Sequence, residues 1–313
     1  MKAIILYEPG GLNNFKIAEI ETPQIADNEV LVQVKAISIN PVDVKTRTGK
    51  GLYGRLKELS PLIIGWDIAG IITQKGKDVL DFEVGYEVFG MVNFPGHGKA
   101  YAEYVAVPAN QLALKPTSIS FEEAAAATLA ALTAWQALVT NAKVKSGDRV
   151  LIHGAAGGVG HYAIQIAKFL GAYVIGTSSA NNKDFVLSLG ADEHIDYQKQ
   201  AFEEATADLD FVLDTIGGDN IDRSLEIIKP GGTLISIPSG LNEAVTEKSK
   251  MKSVNGYFML VQSSGEDMSK LAELLESGAL KSHVSATFNF DEMSKAHLQI
   301  ETGRTRGKII IKV

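Results

Sequence analysis

Gly154, Gly157 and Gly160 stand between a short apolar stretch, Arg149-Val-Leu-Ile-His153, and a segment in which Ile164, Ala167, Phe169 and Leu170 recur at helical spacing. Glycines at a strand-to-helix turn let the backbone pass close to a phosphate. The free N–H groups and the dipole of the following helix then hold its negative charge. The chemistry on offer is capture of a dinucleotide pyrophosphate. Against the usual G-x-G-x-x-G pattern, Gly157 and Gly160 fill the second and third places and Ala155 stands in the first. Gly154, one residue earlier, keeps the tight turn feasible. Such a run also serves plain helix–strand packing, but the flanking strand, the helix and a second βα unit agree on nucleotide binding.

Folds of this kind that select NAD place an acid about 20 residues beyond the loop, on the ribose 2′-hydroxyl. Here that distance falls on Gly176-Thr-Ser-Ser-Ala-Asn-Asn-Lys-Asp184, with no acid at the strand tip. Ser178 and Ser179 can donate to a 2′-phosphate and Lys183 can neutralise it, which predicts NADPH. The same residue types also suit a helix cap and first turn. Asp184 is the counter-indication, one step further along the helix.

Strands are expected at 149–153, 172–176, 193–195, 209–213, 232–237 and 255–260. Helices are expected near 158–170, 182–189, 199–206, 219–228 and 265–277. This alternation predicts a doubly wound parallel sheet, a Rossmann domain, over 121–268. The first part is β-rich: Glu29–Lys35, Ile68–Thr73 and Ala102–Val107 alternate apolar and polar residues, and Asn40-Pro41 and Pro95-Gly96 punctuate them. Ser120-Phe-Glu-Glu123 reads as a capping box opening an alanine-rich helix. A helix near 291–302 and a strand over 308–313 close the chain. Residues 1–120 and 269–313 are read as one β-rich catalytic domain interrupted by the nucleotide domain, with a cleft between the two. The apolar edge strand Asn255–Leu260 makes a homodimer an expectation, since uncovered edges tend to pair; a helix or loop covers such edges equally well.

The chain has 313 residues, 45% of them hydrophobic and 21% charged, with 30 basic and 37 acidic residues and a net charge of −7. That balance argues against nucleic acid or an anionic membrane as the main partner. No apolar run approaches the ~20 residues that cross a bilayer, and Met1–Gly10 lacks the features of a signal peptide, so a cytoplasmic location is expected. There is no cysteine, which removes disulfides, thiol catalysis and thiolate metal sites. His153, His161, His194, His283 and His297 show no metal-ligand spacing and are read as structural. No nucleophile-elbow pattern supports hydrolase chemistry.

Taken together, the chain resembles the medium-chain dehydrogenase/reductase superfamily, and within it the zinc-free quinone oxidoreductases, including ζ-crystallin-like and reticulon-4-interacting-protein-like members. The matching pieces run essentially the full length: Ile39–Asp43 with Gly49–Tyr53, Pro61–Gly70, Val84–Gly90, Tyr101–Tyr104, Leu129–Trp135, the glycine loop, Asp214–Gly218 and Gly303–Ile309. The resemblance implies a GroES-like fold for the β-rich domain. Zinc-dependent members use two cysteines and a histidine; Trp66 stands at the position of that histidine, and His97 with Asp67 does not complete a three-ligand site. No metal is therefore expected.

By the same resemblance, Gly157, Gly158, Val159 and Gly160 would meet the pyrophosphate, and Ser178, Lys183 and Tyr197 would surround the 2′-phosphate. Thr133, Thr215, Ile216, Gly217 and Ile237 would border the nicotinamide, with Phe258 either nearby or in the core. Quinones and α,β-unsaturated ketones suit a site with few catalytic groups, because conjugation carries the incoming charge onto one oxygen. Asn40, Asp43 and Tyr53 are the candidate catalytic residues: an amide donor, an orienting carboxylate and a phenolic donor. Each also has a plain reading as a turn, cap or loop residue. Two rivals stay open: an enone reductase for which quinones are surrogates, and an NADPH-binding sensor or accessory protein with vestigial activity.

Overall fold

The computed structural model describes residues 1–59, 61–238 and 244–313. Its contacts group the chain into two units, Met1–Leu132 with Val261–Val313, and Thr133–Leu260.

The first unit is built on Glu29–Ile39, a strand that is buried over most of its length. Asp67–Lys75, Tyr104–Pro108 and Lys308–Lys312 all pair antiparallel with it. Ile309 faces Ile39 and Ile311 faces Ile37 in the register, so the late strand returns to the first unit. Lys2–Leu6 and Phe15–Glu19 form a separate two-stranded sheet. Glu29–Lys35 reads as half-buried from sequence. The strand instead runs on to Ile39 and buries both faces there, because the helix Phe121–Ala126 packs on it.

That helix opens on the expected capping box, Ser120 Oγ accepting from Glu123 N at 3.1 Å. It packs against Glu29–Ile39 and Asp67–Lys75, while Gly265–Glu276 packs against Ala113–Leu114. Residues 121–132 and 261–268 therefore group with the first unit rather than with the nucleotide-binding part. Asn40-Pro41, which reads as a turn, opens a helix, Pro41–Arg47: proline suits the first helical position, where no N–H is needed.

The second unit holds a six-stranded, wholly parallel sheet. Across the sheet the strands lie as Glu193–Asp196, Tyr173–Ser178, Arg149–Ile152, Leu209–Asp214, Ile228–Ser236 and Asn255–Phe258. In chain order that is 3-2-1-4-5-6, the arrangement of a dinucleotide-binding domain. Leu151, Ile175, Val212 and Leu234 belong to one core cluster with Phe202, Ile221 and Val245 from the connecting segments. The helix expected over 199–206 shortens to Phe202–Ala205, and a helix that sequence did not suggest, Val245–Lys250, precedes the edge strand.

Candidate active site

In a 3-2-1-4-5-6 sheet the direction of winding reverses between the first and fourth strands, and a ligand lies beyond their carboxyl ends. Those ends are Ile152 and Asp214 here. His153 N donates to Leu213 O at 3.0 Å, and Thr215 Oγ1 donates to His153 O at 2.7 Å, so the two following loops are tied together. Gly154 takes φ +60°, and a Cβ there would come 2.5 Å from Thr215 Oγ1. Gly154, not residue 155, thus makes the tight turn. A Cβ on Gly160 would fall on the Gly154 carbonyl and the Ala155 backbone. Gly157, Gly158 and Val159 are half-exposed at the start of the helix Gly160–Phe169. The turn is a backbone cradle that side chains would fill, which fits a pyrophosphate.

Asp214 holds the other loop. Its Oδ1 accepts from the N–H groups of Ile216 and Gly217, both at 3.0 Å, and its Oδ2 accepts from Ser236 Oγ at 2.7 Å. Ile216 is left exposed, and Ile237 N donates to Asp214 O. Thr215, Ile216, Gly217 and Ile237 are thereby gathered at the same edge as the glycines. Phe258 ends the outermost strand on the same edge, two strands along from Asp214, and packs against the core cluster. Thr133 is buried within the helix Leu129–Trp135.

At the end of Tyr173–Ser178, Ser178 Oγ donates to Ser179 O at 3.2 Å and lies 2.8 Å from His194 Nε2. Lys183 is exposed at the start of Lys183–Ser188, and Asp184 is exposed beside it. Tyr197 is exposed just past Glu193–Asp196, its N–H reaching Ser178 O at 3.4 Å. Ser178, Lys183 and Tyr197 all sit at the ends of these two neighbouring strands. His194 was set aside in the sequence as structural. Burial holds its imidazole below its ordinary range, with Asp196 opposing that shift and Lys183 adding to it.

In the first unit Asn40 and Asp43 are buried. Asn40 N donates to Asp43 Oδ2 at 2.7 Å, closing the first turn of Pro41–Arg47. Asn40 Nδ2 donates to Asp67 Oδ2 at 2.7 Å, and its Oδ1 accepts from Lys308 Nζ at 2.5 Å. Asp67 Oδ1 takes the N–H of Leu129 at 3.0 Å. Burial pushes the Asp43 carboxyl up to about 7, with the Asn40 N–H opposing and the Asp67 charge reinforcing the shift. Burial also raises Asp67 and lowers Lys308. Asn40 and Asp43 are thus joined, while Tyr53, half-buried in Tyr53–Leu56, is outside their hydrogen bonds. Lys308 went unnoticed because a lysine opening a strand reads as a solvent-facing flank.

Comparison with known proteins accords with this construction. Residues 26–117 match the family model described as alcohol dehydrogenase GroES-like domain, and 189–311 match the one described as zinc-binding dehydrogenase. The chain is 36% identical over 321 residues to 2-methylene-furan-3-one reductase of Solanum lycopersicum, covering 99% of this chain and 79% of that protein. It is 35% identical, with the same coverage, to the chloroplastic NADPH-dependent alkenal/one oxidoreductase of Arabidopsis thaliana. The solved quinone oxidoreductase of Coxiella burnetii superposes with a TM-score of 0.95 at 38% identity, over 100% of this chain and 99% of that one. The fold is that of a medium-chain oxidoreductase. The chain belongs to the quinone oxidoreductase-like branch of the medium-chain dehydrogenase/reductase superfamily.

The zinc in the name of one family model does not fit the residues present. A catalytic zinc takes three protein ligands from cysteine, histidine or carboxylate. This chain has no cysteine, both Asp67 oxygens already accept hydrogen bonds, and the Lys308 ammonium shares the buried cluster. Trp66 is buried, its Nε1 donating to Gly96 O at 2.7 Å. Among the described residues no three histidines or carboxylates gather as a metal site.

Proposed function

We propose that the protein is a metal-independent, NADPH-dependent reductase of quinones and other α,β-unsaturated carbonyl compounds. The observation that carries this is the end of Tyr173–Ser178, whose own tip bears hydroxyls and no acid, with Lys183 and Tyr197 beside it to outweigh Asp196, which the register pairs with Ser178, in a sheet whose switch point bears the glycine cradle. Gly157, Gly158, Val159 and Gly160 would hold the pyrophosphate through backbone N–H groups, and Ser178, Lys183 and Tyr197 the 2′-phosphate. Thr133, Thr215, Ile216, Gly217 and Ile237 would border the nicotinamide, which when bound supplies the hydride. Phe258 would lie further out as a core aromatic.

A conjugated acceptor places its developing charge on oxygen, where a single donor is effective. Tyr53 is the donor the first unit offers, with solvent as the alternative proton source. The Asn40 amide is committed to Asp67 and Lys308, and Asp43 Oδ2 takes the Asn40 N–H while its Oδ1 is buried without a hydrogen bond, so both act as positioning residues for Pro41–Arg47. A second reading, in which enones are the physiological acceptors and quinones surrogates, is favoured by the two plant relatives, whose names specify a furanone and alkenals or enones.

No helix among the described residues is long and apolar enough to cross a membrane, and the net charge of −7 disfavours nucleic acid. A cytoplasmic location goes with this reading. Asn255–Phe258 forms one edge of the parallel sheet, which is where a second copy would pair to make a dimer; light scattering at a monomer mass would remove that part.

The deciding experiment is NADPH oxidation by chelator-treated protein with an ortho-quinone and a simple enone, NADH serving as control. Turnover with NADPH well above NADH is expected, and the two acceptors rank the two readings. Tight NADPH binding with no turnover on either acceptor would make the protein a sensor or accessory subunit instead.

A further inference from the structure

His194 is a titratable side chain at the candidate 2′-phosphate position to which the reading above gives no task. The register pairs it with Gly176 and pairs Asp196 with Ser178, and the ring crosses to the neighbouring strand to place Nε2 2.8 Å from Ser178 Oγ. Ser178 Oγ has a second acceptor for its one proton, Ser179 O at 3.2 Å. A hydroxyl both donates and accepts, so Ser178 Oγ can meet a neutral Nε2 as donor and a protonated ring as acceptor. The Ser178 contact survives in both charge states, so protonation adds a positive charge without breaking a bond.

Two charged groups act on the ring: Asp196 from its own strand favours the cation, and Lys183 from the adjoining helix opposes it. A phosphate drawn in by Lys183 would offset that opposition and add a charge of about −1.5 to −2 beside the ring. We infer that His194 is a proton-linked specificity residue of the adenosine 2′-phosphate subsite, charging as the phosphate binds and sharpening the choice of NADPH over NADH as the pH falls. It acts through Ser178 and through its own charge, touching none of the reacting atoms. The inference rests on the NADPH reading proposed above.

The test uses the oxidised cofactors NADP+ and NAD+, which differ only in the 2′-phosphate. Their affinities are measured by calorimetry at about pH 8 and about pH 5.5, the lower value set beneath the ordinary histidine range because burial depresses this ring, on the intact protein and on His194→Gln. Glutamine can still donate to Ser178 but cannot take up a proton. The phosphate's own ionisation, near pH 6, enters both proteins equally, so the difference between them is what counts. The NADP+ to NAD+ affinity ratio should rise on acidification by about threefold to tenfold more in the wild type than in His194→Gln, up to one unit of pKa coupling. Equal NAD+ affinity in both proteins shows that the domain is folded; if His194→Gln fails that control, His194→Asn takes its place in the comparison. Superimposable profiles would overturn the role of His194 and leave the NADPH reading intact. A wild-type ratio near one at both pH values would overturn the NADPH reading and the inference with it.

Discussion

Lys308 Nζ donates to Asn40 Oδ1 at 2.5 Å, across most of the length of the chain, and both residues are buried. The contact puts an ammonium in the same cluster as the Asp43 and Asp67 carboxyls, whose fields favour its charged form against burial. Removing one partner of a buried charge cluster leaves the others uncompensated, at a cost of about 3–5 kcal/mol. Lys308→Met should lower unfolding stability by that amount in urea titrations. A loss below about 1 kcal/mol would mean the cluster is not held by its cation.

Asp43 gives a pH dependence whose sign is fixed. Its native pKa of about 7 lies above the ordinary carboxylate value. Between roughly pH 4 and pH 7 the native state therefore binds more protons than the unfolded state, and stability falls as the pH rises through that window. Above it the full cost of the buried charge is present, a few kcal/mol at about 1.4 per pKa unit. Asp43→Asn should flatten this part of the stability profile. Parallel wild-type and variant profiles would place the titration on another group.

Lys183→Ala should weaken NADPH binding by about 1–3 kcal/mol, the worth of a charge-assisted contact, and leave NADH nearly unchanged. Equal losses for both cofactors, measured by fluorescence titration, would remove Lys183 from the 2′-phosphate.

Tyr53→Phe deletes only the phenolic oxygen of a half-buried residue. If Tyr53 serves as donor, kcat should fall by about 10²–10⁴-fold, the range of general acid–base contributions, with cofactor affinity unchanged. An unaltered kcat would leave protonation to solvent.

The second unit was legible in the sequence because short apolar strands alternate with helical spacing, and a parallel sheet built that way has one common winding. Six strands were anticipated within a few residues of their ends, among them Arg149–Ile152 and Leu209–Asp214. Val245–Lys250 was missed because Val-Thr-Glu-Lys-Ser-Lys has too few apolar residues to show a period. Val284–Asn289 was missed although its burial alternates, since its apolar residues are only half-covered at the sheet edge. The glycine cradle was legible because backbone proximity demands glycine. The partners of Asn40 were not, because Asp67 and Lys308 are brought to it by strand pairing, and no local pattern records which distant residues share a register. His194 reads as merely structural for the same reason: its partner lies on the next strand.

The strand pairing of the first unit also bears on how the chain is made. Glu29–Ile39 emerges early, yet one of its antiparallel neighbours is Lys308–Lys312. Between them the ribosome must deliver the whole of Thr133–Leu260, a unit whose six strands pair only with one another. Domains tend to fold as they appear during synthesis. The nucleotide-binding unit can therefore close while the first unit still waits, its acidic pair already in place and its cation not yet translated. For a nascent chain stalled before residue 308, the vulnerable part is the half that was synthesised first.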